Sequence, residues 1–143
     1  MRRDERGTAL VEVTWLSLLL MVPLVYVLMS VFDVQRGAFG VSTASRAAGR
    51  AFAIADSEAE GRRQALTAAR LALDDQGVTG DLDLRIRCRP DPQRCLSAGS
   101  VITVVVTSRV DLPLAPAALG SGAPSFRVES VHRLPYGRYV EER

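Results

Sequence analysis

The longest uninterrupted pattern in the chain is apolar: from Val13 to Phe32 it reads VTWLSLLLMVPLVYVLMSVF, twenty residues without a charge. At about 1.5 Å rise per residue, a helix of that length matches a hydrocarbon core of about 30 Å. Twelve of the twenty are Leu, Val or Phe, and at roughly 0.3 to 0.6 kcal/mol each they favour insertion by about 4 to 7 kcal/mol. The segment is therefore predicted to span a membrane. A buried core helix is the alternative reading, but the remaining sequence holds too little apolar material to wrap so long a helix on all sides. Pro23 removes one backbone bond, to the carbonyl of Leu19, so a kink or loosened turn is expected there without loss of the span.

Beyond Phe32 the pattern changes period but not type. Val34, Ala38, Val41, Ser45, Ala48, Phe52 and Ala55 fall on one helical face, while Arg36, Thr43, Arg46 and Arg50 fall on the opposite one, so the helix is expected to continue to about Ala55. Gly40, Ala44 and Ala48 recur at four-residue spacing, which permits close approach of another element, either the protein's own domain or a neighbouring subunit. Ser57-Glu-Ala-Glu60 has the form of a capping box opening a second helix, with the stripe Ala59, Leu66, Ala69 and Leu73 and a stop near Gly77. That helix is expected to lie on a sheet. Leu82, Leu84, Ile86 and Cys88 alternate with charged residues, Val101 to Val110 is rich in β-branched residues, and Phe126 to Leu134 supplies a third, weaker strand. Asp111 to Ser125, with three prolines and two glycines, is expected to be a loop.

The predicted fold class is therefore α+β: a long N-terminal transmembrane helix extending outside the membrane, a second short helix and a small antiparallel sheet. With 143 residues there is room for one small domain beside the anchor. Arg2, Arg3 and Arg6 precede the span, which predicts an N-terminus inside and a C-terminal domain outside the cytoplasmic membrane. A cleaved secretory signal fits less well, because no small-x-small site follows Val31-Phe32-Asp33. All 18 basic residues are arginine, the formal net charge is +2, and Asp and Glu are interleaved with the arginines along most of the chain. That distribution argues against a nucleic-acid-binding patch.

The chemistry of interest is at the head of the span, Arg6-Gly7-Thr8-Ala9-Leu10-Val11-Glu12. A carboxylate at the start of a membrane helix is costly unless paired. If the peptide bond after Gly7 were cut, the new α-ammonium of Thr8 would stand at i to i+4 spacing from Glu12, within pairing reach. Gly7 suits a cut because a residue without a side chain lets a protease approach closely.

This stretch resembles the class III signal of type IV prepilins, in which glycine precedes the cut and glutamate is the fifth mature residue. Gly7-Thr-Ala-Leu-Val-Glu12-Val, the Leu/Val span with its proline, and Ala44-Ser-Arg-Ala-Ala-Gly-Arg-Ala51 together resemble the TadE-like minor pseudopilins of tight-adherence (Flp-type) pili. Val13 stands where the major Flp pilins have tyrosine, which argues against the major pilin. The resemblance implies a pilin-like architecture divided into a cytoplasmic leader at 1–7, a transmembrane helix at 8–33 and an extracytoplasmic domain at 34–143. It further implies cleavage between Gly7 and Thr8 by a prepilin peptidase, subunit docking through Glu12, and partners among the lipid bilayer, other pilins or pseudopilins and pilus-assembly proteins, with possible incorporation into a surface pilus. The alternative is an unprocessed bitopic protein whose outer domain scaffolds secretion or DNA-uptake machinery.

Cys88 and Cys95 bracket a short connection between two predicted strands, and in an exported domain a disulfide is expected. Zinc would need about four ligands, and the chain has one histidine, His132; no metal and no cofactor are expected. Neither a Walker loop nor a G-x-S-x-G elbow nor an H-E-x-x-H pair occurs. Asp74, Asp75, Asp81 and Asp83 form the one acidic cluster, read as a helix end and solvent-facing strand positions. An enzyme is not expected.

Overall fold

The computed structural model describes residues 5–111 and 125–137. Five elements follow one another: α1 (Glu5–Ala53), α2 (Glu58–Asp74), β1 (Leu82–Arg89), β2 (Val101–Asp111) and β3 (Ser125–Pro135). The strands form one antiparallel sheet in the order β1-β2-β3, so the fold is α+β. The expected loop is shorter than the sequence suggests, since Asp111 and Ser125 pair as the last rung of β2 and β3; residues 112–124 lie outside those described.

α1 is a single helix of 49 residues, unbroken at Pro23. Its two halves differ in what surrounds them. Up to Phe32 nearly every side chain is exposed, whereas Gly37, Gly40, Val41, Ala44, Ser45, Ala48, Gly49 and Phe52 are buried. The predicted face is thus correct at Val41, Ser45, Ala48 and Phe52, while Ala38 is exposed. Glycine decides the difference: Gly37 faces the Val110 side chain so closely that a Cβ there would overlap it, and Gly40 lies against Val78, Gln76 and Leu73. A face without side chains admits backbone-to-side-chain contact, which a count of hydrophobic residues overlooks.

The sheet packs its inner face on this upper half of α1. Cys88, Ile102 and Leu134 share one inner rung, Ile86, Val104 and His132 the next, and Leu84, Val106 and Ser130 the third. Ile102, Val104 and Val106 are fully buried. Ser130 exchanges a 3.1 Å hydrogen bond with Ser45 of α1, and His132 packs where a Cβ on Gly49 would be.

α2 does not lie on the sheet. It packs mainly along α1, with a smaller contact to β1. Its buried stripe is Gly61, Ala65, Ala69, Ala72 and Leu73, not the expected Ala59 and Leu66, both exposed. The physical reason is the closeness of the two helices: a Cβ on Gly61 would stand 2.9 Å from the Phe52 ring and 3.1 Å from its carbonyl oxygen. The capping box is half formed. Ser57 Oγ accepts the Glu60 N–H at 3.3 Å, but the Glu60 carboxylate turns to Arg63 and Gln64. These bonds, chiefly those from the two side chains, hold the Glu60 carboxyl below its ordinary pKa. At the other end Gly77, at φ 68°, closes the helix: its N–H reaches Asp74 and the Val78 N–H reaches Leu73 at 3.0 Å, the bond pair of a Schellman stop.

Two substitutions separate packing from polarity in this core. Gly61→Val should destabilise the domain by about 1 to 3 kcal/mol through overpacking against Phe52. Ser108→Ala should raise stability by about 1 kcal/mol, because the buried Ser108 hydroxyl has no hydrogen-bond partner among the described residues. Chemical denaturation of the full chain in detergent reads both, and a Gly61→Val chain as stable as wild type would disprove the close approach.

Candidate functional site: the anchor helix and the disulfide-closed tip

Gly7 and Thr8 lie in the first turns of α1, with helical backbone. Glu12 is exposed and stands on the same face as Thr8, about 6 Å higher along the axis. The twenty uncharged residues begin directly above it. Leu10, Trp15 and Leu20 are each about 70% exposed, at 72%, 69% and 71%, so this half of α1 has no apolar neighbour among the described residues. Thr14 and Ser30 donate their hydroxyls to the Leu10 and Tyr26 carbonyls of the same helix, at 2.8 and 2.9 Å. Their polarity is thereby satisfied without water. By length and composition the helix is apolar enough to cross a membrane.

At the opposite end of the fold, Cys88 and Cys95 are joined in a disulfide with Cα atoms 5.2 Å apart. Both are buried. The loop between them is braced from two sides. Within it, Asp91 accepts the Gln93 N–H at 2.9 Å and the Arg94 guanidinium at 3.0 Å, and these contacts hold its carboxyl below the ordinary range. From outside, Glu58 in the first turn of α2 accepts the Cys95 N–H at 2.6 Å, while the Ser100 hydroxyl donates to the Cys95 carbonyl. Sequence reading found the cystine but not the Glu58 contact, because 37 residues separate the partners and no local pattern links them.

The acidic cluster stays dispersed: Asp74 and Asp81 border a shallow cleft with Arg70, and Asp83 pairs with Arg85 at 2.7 Å. Among the described residues no three His, Cys, Asp or Glu side chains are grouped to hold a metal ion. A second cleft of about 290 Å³ brings Asp33, Arg36, Arg109 and Asp111 together, with Thr79 in its lining; it mixes both charges. His132 lies half-buried against α1, away from both clefts.

The fold and these two ends define a class: a small disulfide-closed α+β domain on a long apolar N-terminal helix. No protein-family model, curated protein or solved structure matches the chain.

Removing the disulfide by Cys88→Ser with Cys95→Ser should cost about 2 to 3 kcal/mol. Glu58→Ala alone should cost about 1 to 3 kcal/mol, by orphaning the buried Cys95 N–H. Thermal unfolding under oxidising conditions measures each; a Glu58→Ala midpoint equal to wild type would show that the brace contributes nothing.

Proposed function

We propose that the protein is a TadE-like minor pseudopilin, a membrane-anchored structural or assembly component of a tight-adherence (Flp-type) pilus or related secretion system. The observation that carries this reading is Glu12: an exposed carboxylate one helical turn above Thr8, at the foot of twenty uncharged residues. Cleavage after Gly7 would give Glu12 a cationic partner, either its own Thr8 ammonium or that of an adjacent subunit. In this reading α1 has two tasks. Its lower half holds the protein in the cytoplasmic membrane and meets other membrane helices, and its upper half carries the extracytoplasmic domain. Arg2, Arg3 and Arg6 keep the leader inside. The role is structural, not enzymatic, and partners are the prepilin peptidase, lipid and other pilins or pseudopilins.

The unprocessed scaffold remains the second reading, favoured by the helical backbone across Gly7 and Thr8, since a protease must unwind that turn. N-terminal sequencing of the membrane-extracted chain from cells containing the peptidase decides between them. A first residue of Thr8 in the wild type, and an uncut Gly7→Ala chain, are the expected results. Retention of the leader in the wild type would remove the pseudopilin assignment. Glu12→Gln should leave cleavage intact and reduce co-purification with partner subunits.

A further inference from the structure

Alternation along the strands sorts charge in a way that linear interleaving conceals. Odd-numbered residues of all three strands point away from α1, and they place Arg85, Arg87, Arg89, Arg109, Arg127 and Arg133 on a single face. Against them stand Asp83, Asp111 and Glu129. Asp83 is taken by Arg85 at 2.7 Å, and Glu129 accepts the Thr107 hydroxyl at 3.3 Å. The other arginines form no ion pair among the described residues and are all exposed.

The arrangement has a shape as well as a sign. Below Arg109, β2 contributes only short side chains, Val101, Thr103, Val105 and Thr107, flanked on β1 by Arg89, Arg87 and Arg85 and on β3 by Arg133 opposite Thr103. With strands about 4.8 Å apart, the flanking rows stand about 10 Å from each other, the width of one polypeptide segment. The trough is partly apolar, with Val101 of the floor 39% and Val131 of the β3 row 51% exposed.

Orientation narrows the occupant. Val110 meets α1 at Gly37 and Val104 meets it at Gly49. The helix therefore advances about 18 Å while β2 runs back about 20 Å. The strands run nearly along the α1 axis, and if α1 crosses a bilayer the arginine face stands upright from it, so that lipid headgroups reach one end at most. No aromatic side chain with which bases could stack occurs among the β1 to β3 residues of this face. Arginine mixed with apolar residues is instead the composition of a protein interface.

We propose that this face is a docking trough for an acidic polypeptide segment, whose carboxylates meet the flanking arginines and whose apolar residues rest on the valine floor. The proposal stands independently of leader cleavage. The probe is a synthetic peptide of about 12 residues, the length of β2, with leucines interspersed among glutamates. It is titrated into the full chain in non-ionic detergent at about 50 mM salt. Joint replacement Arg87→Gln, Arg89→Gln and Arg133→Gln should weaken binding at least roughly tenfold. Replacing the leucines by glutamate in the peptide should weaken it about threefold. The control Arg62→Gln, Arg63→Gln and Arg70→Gln, on exposed positions of α2, should change it less than about twofold. Equal losses in both triple variants would reduce the effect to bulk charge and overturn the proposal. So would absence of binding, or tighter binding of duplex DNA to the same arginines. Self-association of the wild type that the sheet variant abolishes would assign the face to a second copy and overturn it equally.

Discussion

The α+β domain is organised by how closely other elements approach one face of α1. Gly37, Gly40, Ala44, Ala48 and Gly49 remove side-chain volume from that face, so β2, β3 and α2 come against the helix itself rather than against a layer of leucines. Burial in a small domain is limited by surface-to-volume ratio, and close packing recovers part of what few large residues cannot supply. Among the described residues, only Phe52, Leu73, Ile102 and a few valines are large and fully buried. Their positions all depend on the near approach of a second element, which is why the Phe52 ring and Gly61 are effectively one feature.

This constraint also settles what the small-residue stripe is for. Gly40, Ala44 and Ala48 were open to two readings in the sequence, packing within the domain or packing between subunits. The upper half of α1 is occupied by its own sheet and α2. What α1 leaves free is its lower, largely apolar half and the arginine-bearing side of the helix. In the proposed membrane-anchored role, contacts with neighbouring helices would fall in that lower segment, where hydrophobicity itself gives no preference between lipid and protein.

Much of the architecture was legible because it depends on local periodicity. The long apolar helix, its continuation past Phe32, the Ser57 cap, the Gly77 stop and the three strands all follow from spacing rules that operate within a few residues. What escaped was long-range or depended on absence. The side of α1 on which α2 packs follows from Gly61, a residue that hydrophobic pattern counts as nothing. The brace from Glu58 to Cys95 joins elements with no sequence relation. The candidate cleavage region was legible only as a motif, and its helical backbone adds a mechanical condition that spacing does not contain.

The arginines show the same lesson in a more consequential form. Read along the chain, Asp83-Leu-Arg85-Ile-Arg87-Cys-Arg89 is a strand of ordinary alternation, and Arg127 and Arg133 belong to another segment with its own glutamate. Charge balance over such windows appears mixed. Antiparallel pairing then adds the odd positions of three strands together and sends the even ones into the core. A one-residue slip of any strand would turn its arginines toward the buried face of the sheet, so burial of the inner face enforces the register, and the register in turn enforces the basic outer face. The stability of the core and the concentration of charge are consequences of one alternation, which ties the surface to the fold more tightly than a scattered set of surface arginines would be.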